Sequence, residues 1–249
     1  MSDRRCLVAL CHNMPIVFTQ TVMSLMEIGW GNRVDDAKAR HGFAAIDFAW
    51  FTSYPRVDAL RDQAVTLAQR EGFSHLLFLD VDMNWPTDVL MRMLAHHDRG
   101  VVSGLYVQKA APYAPIALRG QFHDPGSIVD QYFYDQEYDQ PDDDGLRVVD
   151  IVGMGCALIP MAVFAAIGPR PWFEYRNDDD GWPRVTEDVP FCQKAKAAGF
   201  NIYLDPTVKC GHIATIQTDE EWHKRWQRNQ REIEKKIHVT VIEKPAEVA

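Results

Sequence analysis

Length, composition and charge narrow the classes of protein to which this chain can belong. Its 249 residues, of which 47% are hydrophobic, are enough to bury the core of one α/β domain. A formal net charge of -9 argues against a protein whose whole surface binds nucleic acid, although a local basic face remains compatible with it.

The first part of the chain alternates strand and helix patterns, which favours a mainly parallel sheet flanked by helices. In chain order the patterns predict a strand at 6–10, a helix at 17–28, a strand at 43–50, a helix at 57–70, a strand at 75–79, a helix at 86–96 and a strand at 101–106. The helix at 57–70 is the clearest of these, because Leu60, Ala64 and Leu67 fall on one face and Gly72 ends it.

Residues 109–150 differ in composition and contain prolines, glycines, aromatic residues and an acidic run. We predict that they form a small antiparallel insert with a mobile loop, within a single catalytic domain at 1–217. Further strands are predicted at 148–152, 156–159 and 201–204, and a helix at 187–198. Thr218 and Glu221 make a capping box for a last helix, so residues 218–249 should be a helix and tail packed on the same domain.

Cysteine usage and hydrophobicity bear on the cellular compartment. The five cysteines form no C-x-x-C pair, which favours free thiols in a reducing compartment over disulfides or a zinc site. The apolar stretch at 6–11 is too short for a signal peptide, and no apolar run reaches the 18 residues of a membrane span. We therefore expect a soluble, cytoplasmic protein without a membrane span.

The sharpest chemical signal is an apolar strand that ends in two carboxylates, at residues 75–82. Side chains of an extended segment alternate, so Asp80 and Asp82 should point to the same side. Without a partner the two carboxylates would repel each other, and one would take up a proton. Two carboxylates at the end of a strand, beside a crevice, suit a hard divalent cation.

Two weaker signals lie later in the chain. Glu187 and Asp188 begin a predicted helix. Acidic side chains at this position either stabilise the helix by roughly 0.3–1 kcal/mol through its dipole, or one of them acts as a general base. His212 follows Gly211 at a bend, where an imidazole is either a structural group or the ligand that completes a metal site begun by the two aspartates. The local sequence does not choose between these alternatives.

Glycines and tryptophans near the predicted strands allow two interpretations as well. Gly153 and Gly155 flank the end of a strand, where they permit either a tight bend or a close approach of the backbone to a ligand. Trp172 and Trp182 flank an acidic loop and serve either for packing or as stacking platforms for a sugar ring.

The order of these parts resembles glycosyltransferases of the GT-A fold, particularly the small family-2-like enzymes. The resemblance covers about Arg5 to Ile213 and departs in the insert and the tail. It is carried by the segments Leu79-Asp80-Val81-Asp82-Met83, Val152-Gly153-Met154-Gly155-Cys156-Ala157-Leu158-Ile159, Pro171-Trp172-Phe173, Thr186-Glu187-Asp188-Val189-Pro190-Phe191-Cys192, Leu204-Asp205-Pro206 and Gly211-His212. It implies a single Rossmann-like α/β domain with a mainly parallel sheet that transfers sugar from a nucleotide-diphospho-sugar.

The resemblance also implies roles for the metal and the base. Asp82 and His212 would bind Mn²⁺ or Mg²⁺, and Asp80 would hold either the metal or the ribose of the donor. Asp188 would be the catalytic base, with Glu187 orienting it or contacting the acceptor. One base without a second nucleophile favours direct displacement with inversion.

The same resemblance implies a set of donor contacts. Arg61 would lie against the nucleotide or its pyrophosphate, and the first loop would line the nucleoside pocket. The glycines and one tryptophan would contact the sugar of the donor. The predicted donor contacts are therefore Arg61, Asp80, Cys11, His12, Asn13, Gly153, Gly155 and Trp182. We expect a UDP-sugar as the donor.

The acceptor stays open at this point, and two other functions compete. A hydroxymethylated DNA base, a polysaccharide or another glycan, and a small molecule all fit as acceptors. A strand ending in D-x-D also resembles haloacid-dehalogenase-type phosphatases, in which Asp80 would be the nucleophile, although Asn84 stands where that pattern has Thr or Val. A non-catalytic nucleotide-sugar binding module is the third hypothesis.

Overall fold

The computed structural model describes residues 3–13, 16–29, 32–52, 56–110, 112–122, 131–177, 183–215, 219–225 and 227–228. The chain divides into two compact units, Met1–Ile213 and Ala214–Ala249. In the second unit, residues 220–225 and 227–228 are helical, and the Asp219 carboxylate caps this helix by accepting the N–H of Trp222 at 2.8 Å. Thr218, the predicted cap, lies outside the described residues, and the predicted packing of the tail on the catalytic domain stays a prediction.

The first unit alternates strands and helices along the chain. Its strands are β1 (Arg5–Cys11), β2 (Ala45–Phe51), β3 (His75–Leu79), β4 (Met83–Asn84), β5 (Val101–Leu105), β6 (Ala117–Phe122), β7 (Gln131–Tyr134), β8 (Arg147–Val149), β9 (Ile151–Val152), β10 (Cys156–Pro160), β11 (Arg176–Asn177), β12 (Pro183–Val185), β13 (Ile202–Lys209) and β14 (Gly211–His212). Its helices are α1 (Thr19–Gly29), α2 (Arg33–His41), α3 (Val57–Arg70), α4 (Val89–Leu94), α5 (Met161–Ile167) and α6 (Asp188–Ala197).

The central sheet has the strand order β2-β1-β3-β10-β5-β13-β8. Strands β2, β1, β3, β5 and β13 run in one direction, whereas β10 and β8 run against their neighbours. The prediction of an α/β fold with a mainly parallel sheet is therefore confirmed. The sequence did not indicate that β10 runs antiparallel between β3 and β5, because a buried apolar strand looks alike in both directions.

Apolar side chains on both faces of the sheet explain the two helical layers. In β1, Leu7 and Ala9 pack into the cluster that includes α3, α5 and α6, whereas Val8 and Leu10 pack into the cluster with α1, α2 and α4. Burial of each large apolar side chain contributes roughly 1.5–3 kcal/mol. The alternation of β1 between two buried faces therefore holds the sheet at the centre of three layers.

Helices α2 and α5 are absent from the sequence prediction. Helix α5 has seven residues and follows β10 directly, so it is too short to show a helical period. Helix α2 has a strongly polar sequence with Ala37 as its buried residue, so it lacks an apolar stripe. Both helices are stabilised by packing on neighbouring elements, α2 mainly on α4 and α5 on α3, α6 and β10, rather than by an apolar period.

The predicted insert contributes β6 and β7 to a small antiparallel sheet with the order β7-β6-β9, whose third strand follows the insert directly. A buried arginine holds its acidic run, because Arg147 donates to both oxygens of Asp135, at 2.6 and 3.0 Å, and to Glu137 at 2.9 Å. Arg147 also lies in β8, which pairs with β13 at the edge of the central sheet. The acidic run is thus fixed to the main domain.

Candidate active site

A cleft of about 540 Å³ lies at the carboxyl ends of β1, β3 and β5. This edge of an α/β sheet is where ligands bind in open parallel sheets, and the volume is in the range of small-molecule sites. Its lining residues come from the strand ends, α3, the insert and the start of α6: Cys11, Asn13, Val57, Arg61, Asp80, Val81, Asp82, Tyr106, Gln108, Lys109, Ile116, Leu118, Tyr134, Ile151, Met154, Tyr175, Thr186, Glu187, Asp188 and Val189.

The floor of the cleft is an ion-pair network around Arg61. This arginine is 3% exposed, and its Nη2 donates to both carboxylate oxygens of Asp80 at 2.9 Å. Its Nη1 donates to Oε1 of Glu187 at 2.5 Å. Burial raises the pKa of Asp80, and the charge of Arg61 opposes that rise. The network joins the end of β3 to the start of α6.

This network adds a structural role to the contact with the nucleotide that the family resemblance implies for Arg61. The resemblance places Arg61 against the nucleotide, but the guanidinium bonds of the structure go to Asp80 and Glu187. Its first role is therefore to neutralise and orient these two carboxylates. A direct contact with the nucleotide stays a prediction.

Asp82 lines the cleft, and His212 lies beside it. Nε2 of His212 is 3.8 Å from Oδ1 of Asp82. Nδ1 of His212 lies 2.7 Å from the carbonyl oxygen of Val107, which can only accept, so Nδ1 carries the proton and Nε2 keeps its lone pair when the ring is neutral. The ring also packs edge-on against Tyr106, with the centroids 5.5 Å apart.

The pairing of β4 with β14 brings His212 to this position. His212 is opposite Met83 in this pair, and the N–H of Ile213 donates to the carbonyl oxygen of Asp82 at 2.8 Å. Lys109 donates its ammonium group to Oδ2 of Asp82. Asp82 therefore has an imidazole near one carboxylate oxygen and an ammonium group at the other.

The chemistry of this donor set fits a divalent cation held jointly with a ligand. Among the described residues, no three His, Cys, Asp or Glu side chains form a complete metal site by themselves. Mg²⁺ is usually bound through one or two carboxylates together with substrate phosphates and water. Asp82 Oδ1 and His212 Nε2 supply such a partial set, since a half-buried imidazole with a fixed tautomer suits a metal ion.

The carboxylates at the start of α6 differ in their surroundings. Both line the cleft, but Glu187 is 5% exposed and bound to Arg61, whereas Asp188 is half-buried and makes no ion pair with Arg61 among the described contacts. Oδ1 of Asp188 accepts the hydroxyl of Thr186 at 2.5 Å and the N–H of Val189 at 3.0 Å. Burial raises the pKa of both carboxyls, and the positive charge of Arg61 opposes the rise for both.

The two predicted glycines face a side chain rather than the cleft. A Cβ on Gly153 would lie 2.0 Å from Oη of Tyr106, and one on Gly155 would lie 3.0 Å from its Cζ. The N–H of Gly155 donates to the same hydroxyl at 2.9 Å. The glycines therefore make room for Tyr106, and their predicted contact with the donor stays untested.

Replacing Gly153 by alanine should destabilise the protein by about 1–3 kcal/mol, because the new methyl group overpacks against Tyr106. Urea unfolding of both proteins measures the difference. Gly29→Ala is the matched control, since a Cβ there meets nothing within 4 Å and the change should stay within about 0.5 kcal/mol. Equal destabilisation by both variants would refute the packing role of Gly153.

The structure describes the surroundings of three of the remaining predicted donor contacts. Cys11 is buried at the end of β1, and burial raises the pKa of its thiol to about 12, so it is not a nucleophile there. His12 is half-buried and meets the edge of Trp50, while Asn13 is exposed on the cleft. Trp182 lies outside the described residues.

Trp172 belongs to the core. It is 5% exposed, packs edge-on against Phe164 and donates its ring N–H to the carbonyl oxygen of Gly168 at 2.8 Å. Of its two interpretations, packing is the one that the structure supports.

Several cleft residues carry no signal that the sequence prediction used. Tyr106 and Lys109 follow β5, Tyr134 lies in β7 and Tyr175 precedes β11. The end of β5 at a ligand-binding edge was the signal that could have found Tyr106 and Lys109. Tyr134 and Tyr175 carry no local motif.

The comparisons with known proteins identify the fold. No protein-family model and no curated protein matches the chain at the level of sequence. Among solved structures, A197 from STIV is similar with a TM-score of 0.51 and 17% identity over 85% of this chain and 86% of that one. The glycosyltransferase GalNAc-T7, solved with UDP, GalNAc and Mn²⁺, is similar with a TM-score of 0.51 and 15% identity over 86% of this chain.

The chain has a GT-A-like fold. This confirms the fold that the order of motifs implied. The match covers 44% of GalNAc-T7, so the GT-A-like chain spans less than half of that protein. Within the described residues of this GT-A-like chain, no helix is both long and apolar enough to cross a lipid bilayer.

Proposed function

We propose that this protein is a metal-dependent glycosyltransferase that moves a sugar from a nucleoside-diphosphate sugar, preferably a UDP-sugar, to an acceptor hydroxyl with inversion. The observation that carries the proposal is the approach of His212, at 3.8 Å, to Asp82, which lines the same cleft as Asp188. Three signals that were separate in the sequence thus meet at one site. The GT-A-like fold, shared with a protein solved with UDP and Mn²⁺, supports the same function.

Asp82 and His212 would hold Mn²⁺ or Mg²⁺, with Asp80 as a further ligand or as a contact to the ribose. The cation, when bound, neutralises the negative charge that builds on the leaving diphosphate. Arg61 favours the ionised form of Asp80 beside the proposed cation site and opposes the effect of burial, because it donates to both of its oxygens. The chain's own contribution is therefore a preformed pair of oriented carboxylates at the proposed cation site.

Asp188 would take the proton from the acceptor hydroxyl. Its two described hydrogen bonds end on Oδ1, so we assign Oδ2 to the acceptor. Its raised pKa makes it a stronger base than an exposed aspartate, as a general base requires. Glu187 holds the start of α6 through Arg61 and is a positioning residue in this scheme.

The wall of the cleft opposite β1 would receive the acceptor. It is built by the insert and the chain after β9, which place Leu118, Tyr134 and Met154 on the cleft. Gln108 donates to the hydroxyl of Tyr134 at 2.6 Å, which fixes this phenol at the wall. A DNA base carrying a hydroxymethyl group, a glycan and a small molecule all remain acceptors to be tested.

The two competing functions have distinct signatures. A phosphatase of the haloacid-dehalogenase type would need Asp80 as a nucleophile, but both of its oxygens accept hydrogen bonds from buried Arg61, which lowers their nucleophilicity. A non-catalytic binding module would bind a nucleotide sugar but would neither transfer the sugar nor hydrolyse the donor, whichever divalent metal ion is added.

Asp82→Ala should abolish the Mn²⁺-dependent part of nucleoside-diphosphate binding. Removing a residue that only hydrogen-bonds to a metal ligand typically weakens metal binding roughly 10–100-fold. Removing the ligand itself should weaken metal binding at least as much. Isothermal titration of UDP, GDP, ADP and CDP, each with and without Mn²⁺, measures the effect. Asp47→Ala is the matched control, because that carboxylate is exposed on β2.

The outcome of this titration decides the metal site. Unchanged affinity of Asp82→Ala in the presence of Mn²⁺ would refute it. His212→Gln tests the second ligand in the same way, since it keeps a polar side chain but removes the imidazole lone pair.

A further inference from the structure

Lys109 lies beside the proposed cation site on a hairpin. Residues 106–110 and 112–116 form its two arms, joined by hydrogen bonds from Ile116 N to Tyr106 O at 2.9 Å and from Gln108 N to Ala114 O at 3.0 Å. The same hairpin orients His212 through the carbonyl oxygen of Val107. It therefore touches both proposed ligands of the cation, one through backbone and one through a side chain.

The charges of the cleft explain why Lys109 binds Asp82. Asp80 and Glu187 share the buried guanidinium of Arg61, whereas Asp82 is paired with the ammonium of Lys109. The side chain of Lys109 is 36% exposed and that of Arg61 4% exposed. Arg61 is thus a fixed part of the floor, while Lys109 is a flexible point charge at the rim with room to move.

We propose that Lys109 is a displaceable counter-ion of Asp82 that couples binding of the cation to binding of the donor; this inference rests on the proposed function. In the free protein its ammonium group neutralises Asp82. A divalent cation and an ammonium repel each other at one carboxylate, so the cation displaces Lys109. The released ammonium then binds the diphosphate of the donor, which is the anion that arrives at this place.

The coupling has a definite sign. Without a diphosphate, displacement of Lys109 opposes binding of the cation. With a diphosphate, the displaced ammonium gains a new partner, so each ligand strengthens binding of the other by the same factor. Lys109 therefore lowers the affinity for metal alone and raises the affinity for the nucleotide with metal.

The test measures these two affinities separately in Lys109→Met, which removes the charge and keeps the length of the side chain. Mn²⁺ binding to the protein alone is followed by the electron paramagnetic resonance signal of free Mn²⁺. Nucleotide binding is followed by calorimetry at saturating Mn²⁺, with whichever of UDP, GDP, ADP and CDP binds the wild type most tightly. We expect Mn²⁺ alone to bind about 3–10-fold more tightly and the nucleotide about 3–10-fold more weakly, within the range of typical coupling factors.

Two controls accompany the variant. Lys109→Arg keeps a positive charge and should behave nearly as the wild type in both titrations. Lys38→Met removes a lysine of α2 that pairs with Asp35 and should change neither affinity. Lys109→Gln repeats the test with a polar side chain, in case the methionine variant does not fold.

The outcomes separate this inference from the proposed function. A wild type that binds Mn²⁺, together with a Lys109→Met variant whose two affinities are unchanged or fall together, would overturn the role of Lys109 alone. A wild type that binds no Mn²⁺, with or without any of the four nucleotides, would overturn the metal-dependent function and this inference with it. Opposite changes in the two affinities support the inference.

Discussion

Asp188→Asn is expected to lower the rate of sugar transfer by about 10²–10⁴-fold, the usual contribution of a general base. The amide has nearly the same shape but cannot take the proton of the acceptor hydroxyl. Binding of the nucleotide with Mn²⁺ should be unchanged, because the proposed ligands of the cation are Asp82 and His212. Single-turnover transfer and calorimetry on the same preparation measure the two quantities.

The pH dependence gives a second readout of the same base. Asp188 accepts a proton only when it is ionised, and burial raises its pKa above the ordinary value of 3.8. Transfer should therefore rise with pH through this raised pKa and level off above it. The hydroxyl of Thr186 lowers this pKa, so Thr186→Val should move the rise to higher pH.

Matched controls and a contrary outcome make the assignment testable. Glu174→Gln removes a carboxylate that pairs with Lys194 away from the cleft and should leave the rate unchanged. Turnover of Asp188→Asn within a few-fold of the wild type would remove Asp188 from the role of base. Transfer that is lost together with nucleotide binding would point to a structural role instead.

Arg61→Met should destabilise the protein by about 3–5 kcal/mol, the usual cost of removing one partner from a buried ion pair. The guanidinium is 3% exposed and bonded to Asp80 and Glu187, so its loss leaves two carboxylates without their cation. Urea unfolding at neutral pH measures the change. At this pH each buried carboxylate of the variant must either stay ionised without a partner or take up a proton, and both cost stability.

The control for this variant lies on the same helix. Arg70 pairs with Glu71 at the end of α3, with side chains that are 70% and 49% exposed, so Arg70→Met should cost about 0–1 kcal/mol. Adding Asp80→Asn and Glu187→Gln to Arg61→Met should recover much of the lost stability, because no uncompensated charge is then left. Equal stabilities of Arg61→Met and Arg70→Met would refute the role of Arg61 in the floor of the cleft.

Several local features of the site follow from the sequence by itself. The apolar run at 75–79 followed by Asp80 and Asp82 predicts a buried strand with two carboxylates at its end, and β3 has these bounds. The apolar stripe of 57–70 predicts α3 to the residue. Such patterns are local, because the periods of strand and helix are repeated within a few residues and reflect the buried face.

The order of the motifs along the chain also predicted the fold. The expected GT-A-like α/β fold is observed, although separate motifs such as D-x-D are short and weak. Their spacing is informative because the number of residues between two motifs limits which strands and helices can lie between them. The sequence therefore determined the fold class and the strand end on which the proposed chemistry lies.

Only the tertiary structure decided how the separate signals combine. His212 reaches Asp82 through the pairing of β14 with β4, Arg61 bridges Asp80 to Glu187, and Lys109 approaches from a hairpin after β5. None of these contacts has a local period or motif, because the partners are distant in sequence and meet through the packing of whole elements. A side chain's neighbours across the cleft, and with them its charge and its role, depend on that packing.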